Sequence, residues 1–172
     1  MRLERQEKYK QLIENTLENK ISKDRGRKGF MALRGKLTKD NLSILNRYYI
    51  ALQLKQRPTR AGRKAASYAT FYEYLRNIRR FGVFIGEKCY LDVDKKDLNA
   101  YVAKYSMGSL CTLNGVVKSL KTFFTWLYYD EGKIKKKEIP EILEDLEVDR
   151  PQPKKKNPDQ LLNGDDVLKL IK

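Results

Sequence analysis

Leu113, Val116, Val117, Leu120, Phe123, Phe124 and Leu127 recur along the stretch TLNGVVKSLKTFFTWLYY at intervals of three, one, three, three, one and three residues. A strand would scatter these side chains over both faces of a sheet, whereas a helix gathers them on one. A helix with so broad an apolar face is stable only against other apolar surface, so the rest of the chain has to supply packing partners. The opposite face carries Gly115, Lys118, Ser119, Thr122 and Thr125, small or basic residues in place of the usual long charged mixture. Glycine inside a helix costs about 1 kcal/mol relative to alanine. Gly115 therefore marks either close approach by a backbone or phosphate, or tight packing by another helix, and the residue types leave both readings open.

Further helical patterns precede this one. Thr38 caps LTKDNLSILNRYYIALQLKQ, in which Leu42, Leu45, Tyr49 and Leu52 form a stripe, and Ser67 caps SYATFYEYLRNIRRFGVFI, striped by Phe71, Leu75, Ile78, Gly82 and Ile85. Glu73, Arg76 and Arg80 face away from that second stripe. Asp92 or Asp94 introduces a short helix that buries Leu98, Tyr101 and Val102, and Ser109 caps the helix of the opening stretch. Beyond Gly132, IPEILEDLEV reads as a short acidic helix. At the other end, Leu12, Ile13, Leu17 and Ile21 give the first 21 residues a weak stripe, which suits an arm, a coiled-coil partner or a frayed helix. No convincing run of period two occurs, so the expected fold is all-α, a small bundle of four to five helices with an N-terminal helical extension. Composition divides the chain into residues 1–36, a helix and a basic linker, 37–150, a helical core domain, and 151–172, a Pro- and Lys-rich linker followed by the beginning of another helix. A lone amphipathic turn such as LLNGDDVLKLIK cannot bury its own face, which leads us to expect a further domain after it.

Charge narrows the function. The 172 residues contain 37 Lys and Arg against 22 Asp and Glu, a formal net charge of +15, and residues 137–172 hold only 7 of the basic but 9 of the acidic side chains. The phosphate-seeking surface therefore lies upstream, where Arg57, Arg60, Arg63 and Lys64 crowd a loop broken by Pro58 and Gly62. There is no histidine, which removes the commonest general base and zinc ligand and makes catalysis by this chain alone a poor expectation. No P-loop or GxGxxG pattern occurs, DVDKKDL lacks the glycine and terminal glutamate of a calcium loop, and we expect neither cofactor nor metal. Cys89 and Cys111 have no ligand spacing and read as reduced, partly buried thiols. No apolar stretch approaches the length of a membrane span, so the expected location is cytoplasmic and no membrane partner is expected.

Three segments in order carry a family resemblance. Ser67, Thr70, Tyr74, Ile78 and Phe81 resemble the opening of the core-binding, SAM-like domain of tyrosine recombinases, the phage-integrase family. LDVDKKDLNAYV resembles its next segment, and TLNGVVKSLKTFFTWL resembles its aromatic helix, with Thr112, Asn114, Leu120, Phe123, Phe124 and Trp126 in register. KKKNPDQLLNGDDVLKLI is similar to the family's interdomain linker and the start of its catalytic domain, although LNGDD replaces the usual Leu-Thr opening. The catalytic arginines, His-x-x-Arg segment and tyrosine nucleophile of the family have no counterpart in these residues.

The resemblance implies a non-catalytic module that grips one face of double-stranded DNA while the catalytic domain of the same parent protein takes the other. It nominates Thr70, Tyr72 and Glu73 on one helix and Thr112, Gly115 and Ser119 on another. Helical plotting alone adds Arg76 and Arg80 to the first and Lys118 to the second, and Asn114 is the candidate for a base contact. The loop from Arg57 to Lys64 would track phosphates beside the first of these helices or serve as a flexible basic tether. Protomer contacts are expected through Trp126 or the N-terminal helix, with a monomer in free solution. The alternatives are a freestanding helical DNA-binding regulator or inhibitor, and a protein-interaction domain, against which the concentration of positive charge argues.

Overall fold

The computed structural model describes residues 2–20, 35–54, 67–106, 110–135 and 138–146. The order is α1 (Arg2–Leu17), α2 (Lys39–Leu54), α3 (Tyr68–Ile85), a 3₁₀ turn at Tyr90–Asp92, α4 (Lys95–Ser106), α5 (Leu110–Asp130) and a 3₁₀ turn at Glu141–Leu143. The described residues contain no strand, and the all-α bundle anticipated from the periodicity is the fold observed. None of their helices is long and apolar enough to cross a membrane.

The helix starts follow local chemistry. The backbone N–H of Asn41 donates to Thr38 Oγ1 and that of Thr70 to Ser67 Oγ, so both expected caps form. Of the two aspartates offered for α4, Asp94 is the cap. Its Oδ1 accepts from the Asp97 N–H at 2.9 Å, and Asp97 Oδ2 accepts in return from the Asp94 N–H at 3.1 Å. Lys88 donates to both carboxylates. The Asp97 N–H, and after it Lys88, hold the Asp94 carboxyl below the usual carboxylate range.

The stripes converge on one core. Leu45, Tyr48, Leu75, Ile78, Phe81, Leu98, Tyr101, Leu120, Phe123, Phe124 and Leu127 are fully buried. At its centre Tyr90 stacks on Phe81, with ring centroids 6.3 Å apart, and meets Phe123 edge-on at 5.0 Å. Its hydroxyl donates to the Ile78 carbonyl oxygen at 3.0 Å, directly over Gly82. A Cβ on Gly82 would lie 2.2 Å from that oxygen and 2.4 Å from a Leu37 methyl, which explains a glycine in the middle of the α3 stripe. Asn41 closes the same corner from α2, its amide donating to the Lys88 carbonyl oxygen while its Oδ1 accepts from the Tyr90 N–H.

Two expectations need correcting. The N-terminal extension is helical, but it is neither arm, coiled-coil strand nor frayed end: α1 docks along α3, and Ile13, 2% exposed, joins the core. Three polar contacts secure its end. Asn19, in the left-handed conformation with φ 56°, donates its amide to the Leu37 carbonyl oxygen and accepts the Leu37 N–H, and the buried Arg79 guanidinium donates to the Lys20 carbonyl oxygen. The acidic segment near residue 140 forms a single 3₁₀ turn and no α-helix. So short a segment does not recover the cost of helix nucleation, and burying Leu143 and Leu146 against the bundle places it without one. The linker 21–34, the loop 55–66, Ser109 and residues 147–172 lie outside the described residues.

Two outcomes check this packing. Gly82→Ala should lower unfolding free energy by about 1–3 kcal/mol in urea melts, because the α3 backbone cannot retreat without breaking the Tyr90 contacts. The Asp94 carboxyl is depressed, so the stability it contributes is present above the ordinary carboxylate pKa of about 3.9 and is lost as pH falls through its folded value. Asp94→Asn keeps an acceptor for the cap, and its acid-unfolding profile should be flatter there than that of the wild type.

Candidate nucleic-acid interface

The two helices nominated for contact are tied together by one side chain. Asn77 of α3 is 7% exposed, and its amide donates to Ser119 Oγ at 2.9 Å and to the Gly115 carbonyl oxygen at 3.4 Å. Ser119 donates in turn to the same carbonyl at 2.7 Å. This buried polar junction fixes which turn of α5 lies beside which turn of α3. Glu73 and Arg80 stand about one turn on either side of Asn77, with Arg76 between them. On α5, Gly115, Lys118 and Thr122 follow one another at spacings of three and four.

Gly115 is exposed, and no described atom lies within 4 Å of where its Cβ would be. Of the two readings left open by the sequence, tight packing by another helix is therefore absent among the described residues, and the surface is open to something outside. Lys118 beside it is exposed. Thr122 turns its hydroxyl back to the Lys118 carbonyl oxygen at 2.8 Å. At Gly115 no side chain keeps another molecule away from the helix backbone.

Ser119 requires correction. Placed on the outer face by helical plotting, it is 2% exposed and spends its hydroxyl on the Asn77 junction. The plot treated the outer face as a half-cylinder, but the line along which α5 meets α3 runs through position 119 and not through 115. Trp126 also lies deeper than expected: it is 7% exposed, with its ring 5.0 Å from Tyr48 and 5.9 Å from Phe123, so its main role is core packing.

On α3, Glu73 is exposed, while Thr70, Tyr72, Arg76 and Arg80 are half-buried. Tyr72 packs its ring 6.0 Å from Tyr9 of α1, and the Arg76 guanidinium lies 5.7 Å from the Tyr72 ring centre. Lys10 of α1 sits 5.4 Å from the ring of Tyr68, at the first turn of α3. The docked N-terminal helix thus brings a cation and an aromatic ring to the end of α3, a neighbourhood that a stripe on α1 alone could not announce. Asn114 is half-buried. Arg57, Arg60, Arg63 and Lys64, and the side chain of Thr112, lie outside the described residues.

Arg79 is the arginine that sequence reasoning passed over. It is 4% exposed, and burial pulls its guanidinium below the ordinary arginine value. Its neighbours Arg76 and Arg80 were read as outward, and the run Arg79-Arg80 offered no sign that one member points inward to the Lys20 carbonyl oxygen beyond the end of α1. Cys89 is half-buried and free.

The open glycine separates stability from contact. Gly115→Ala should raise thermal stability, by up to about 1 kcal/mol in unfolding free energy, because an added Cβ meets nothing and glycine is a poor helix former.

A family described as phage integrase, N-terminal SAM-like domain, matches residues 56–134, a little under half of the chain. The matched region runs from the basic loop through α3, α4 and α5 and leaves α1 and α2 outside. No curated protein and no solved structure matches the chain.

Proposed function

We propose, from the premise that residues 56–134 are a phage integrase N-terminal SAM-like domain, that this chain is the duplex DNA-binding, core-binding module of a tyrosine site-specific recombinase. The family match carries this reading. The net charge of +15 and the open, small-residue face of α5 around Gly115 and Lys118 support it. Strand exchange itself belongs to a catalytic domain of the parent protein, and the match is to the N-terminal domain alone.

Phosphate neutralisation supplies the binding energy. The first-turn amides of α3, which only Ser67 partly satisfies, and the cations Lys118, Arg76 and Arg80 meet backbone phosphates and release the counterions condensed on them. Gly115 lets a sugar-phosphate strand rest against the α5 backbone. The loop from Arg57 to Lys64, leading into α3, follows the same strand. Glu73 cannot face a phosphate, so its place on the exposed side of α3 sets a base edge opposite it, where a carboxylate accepts from cytosine N4. Asn114 is the second candidate for base readout. With few bidentate side chains on these faces, sequence discrimination by the module is modest, and the contacts chiefly fix its register on the duplex.

Fluorescence anisotropy with a labelled random duplex over a salt series tests the reading. Binding should weaken steeply with salt, and Lys118→Ala should reduce the slope of log K against log salt by about one unit. Gly115→Ala should bind the duplex more weakly than wild type despite its greater stability. If no duplex binding occurs at low salt, or Gly115→Ala binds as wild type, the proposed contact at α5 is wrong.

A further inference from the structure

α1 lies outside the matched region, yet it docks along α3, one of the two helices of the proposed duplex contact. Tyr9 and Lys10 of α1 meet Tyr72 and Tyr68 near the start of α3, and the Lys20 carbonyl oxygen meets Arg79 nearer its end. The two helices thus run side by side in the same direction. At 1.5 Å per residue, Lys8 lies about 3 Å before Lys10 along the axis and Arg5 about 7.5 Å before it. Both belong to the end of α1 that stands beside the first turn of α3.

The charges of α1 are sorted around it. With Ile13 in the core, a rotation of about 100° per residue puts Glu7 and Glu14 on one flank and Arg5 and Lys8 on the other, with Glu4 at the back, opposite Ile13. Lys10 pairs with Glu7 at 2.7 Å, and Lys10 and Glu14 both act electrostatically on the Tyr49 phenol of α2, so the acidic flank is the one toward α2. Arg5 stands one turn before Tyr9, whose ring packs against Tyr72 beneath the Arg76 guanidinium. The basic flank therefore adjoins the outer face of α3, where Arg76 and Arg80 stand. Arg5 and Lys8 are exposed and make no ion pair among the described residues.

A helix whose charges serve only solubility gains nothing from this sorting, because cations set beside the cations of a neighbouring helix repel them. An anion lying across both helices reverses the sign of that cost. The shape of the anion follows from the spacing. Packed helices stand about 8–10 Å apart, and successive phosphates of one DNA strand rise about 3.4 Å along the duplex axis. The step from α3 to α1 thus spans about two to three phosphates. The flank offers an apolar partner little, since its one large apolar side chain, Leu12, is already half-buried.

We infer that Arg5 and Lys8 hold backbone phosphates of the same duplex, on the strand that reaches the first turn of α3, which makes the N-terminal helix part of the grip. The inference rests on the duplex-binding reading and adds to it a helix that the family match does not include. α1 meets the duplex as a fixed part of the bundle: Ile13 is in the core, Asn19 binds both backbone polar groups of Leu37, and Arg79 holds the Lys20 carbonyl oxygen.

The test compares the full chain with R5A/K8A and with K96A/K133A, which removes the same charge from exposed lysines of α4 and of the turn after α5. Binding to a labelled random duplex is followed by anisotropy over a salt series, and urea melts check that both variants keep the wild-type midpoint. R5A/K8A should lower the slope of log K against log salt by nearly two units, while K96A/K133A leaves it unchanged. A wild-type slope in R5A/K8A, with Lys118→Ala still lowering it, would overturn the inference and leave the duplex reading standing. An equal loss in both double variants would trace the effect to net charge and overturn it too. If the wild-type chain binds no duplex at low salt, the duplex reading itself falls and takes this inference with it.

Discussion

The buried ring of Tyr90 sets how closely three helices approach. It lies on a 3₁₀ turn between α3 and α4, yet its contacts are with α2 through Asn41, with α3 through Phe81 and the Ile78 carbonyl, and with α5 through Phe123. Burial raises its phenol pKa far above the ordinary tyrosine value, so the hydroxyl stays a donor to Ile78 at any pH the fold survives. Gly82 is the condition for this arrangement, because any side chain there would occupy the space of the hydroxyl. With α3 and α5 held against the same ring, their outer turns come to rest at a set separation, and the Asn77 junction follows.

That junction divides the polar residues of α5 between two duties. Ser119 and the Gly115 carbonyl are consumed in holding α3, while the Gly115 surface and Lys118 are left facing outward. A buried amide that must satisfy its hydrogens tolerates little sliding, so the outward residues of the two helices keep one relative position. Rigid placement of a few short side chains and cations is what the proposed duplex contact requires, with the phosphates supplying most of the attraction.

The helices outside the matched region are not accessories. α1 completes the core through Ile13 and carries Tyr9 and Lys10 to the first turn of α3, so part of the surface near the proposed DNA contact is built by residues far away in sequence. α2 supplies Asn41 to the Tyr90 corner at one end and an uncovered apolar edge at the other. The basic face and the apolar groove between α2 and α5 thus meet along α5, where Thr122 borders both.

The caps at Thr38 and Ser67 and the apolar stripes of α3, α4 and α5 were legible because periodicity and capping are local, each decided within two turns of chain. The exposure of Lys118 was legible for the same reason. The α2 stripe, by contrast, was read through Leu42 and Tyr49, which are half-buried, in place of Ile44 and Tyr48, which enter the core. What depended on contact between distant segments was not. Whether Ser119 faced out or lay in a seam hinged on where α3 crosses α5. Whether Arg79 was another surface cation hinged on the carbonyl of Lys20, 59 residues earlier. Gly82 and Gly115 are both mid-helix glycines and look alike in sequence, yet one is filled by a tyrosine hydroxyl and the other opens to solvent. The amino-acid order by itself determined which residues form helices and which face each helix must bury, since those follow from 3.6-residue periodicity and apolar burial. Only the tertiary structure decided which polar residues remain on the surface to bind, because helices meet along lines that no single helix encodes.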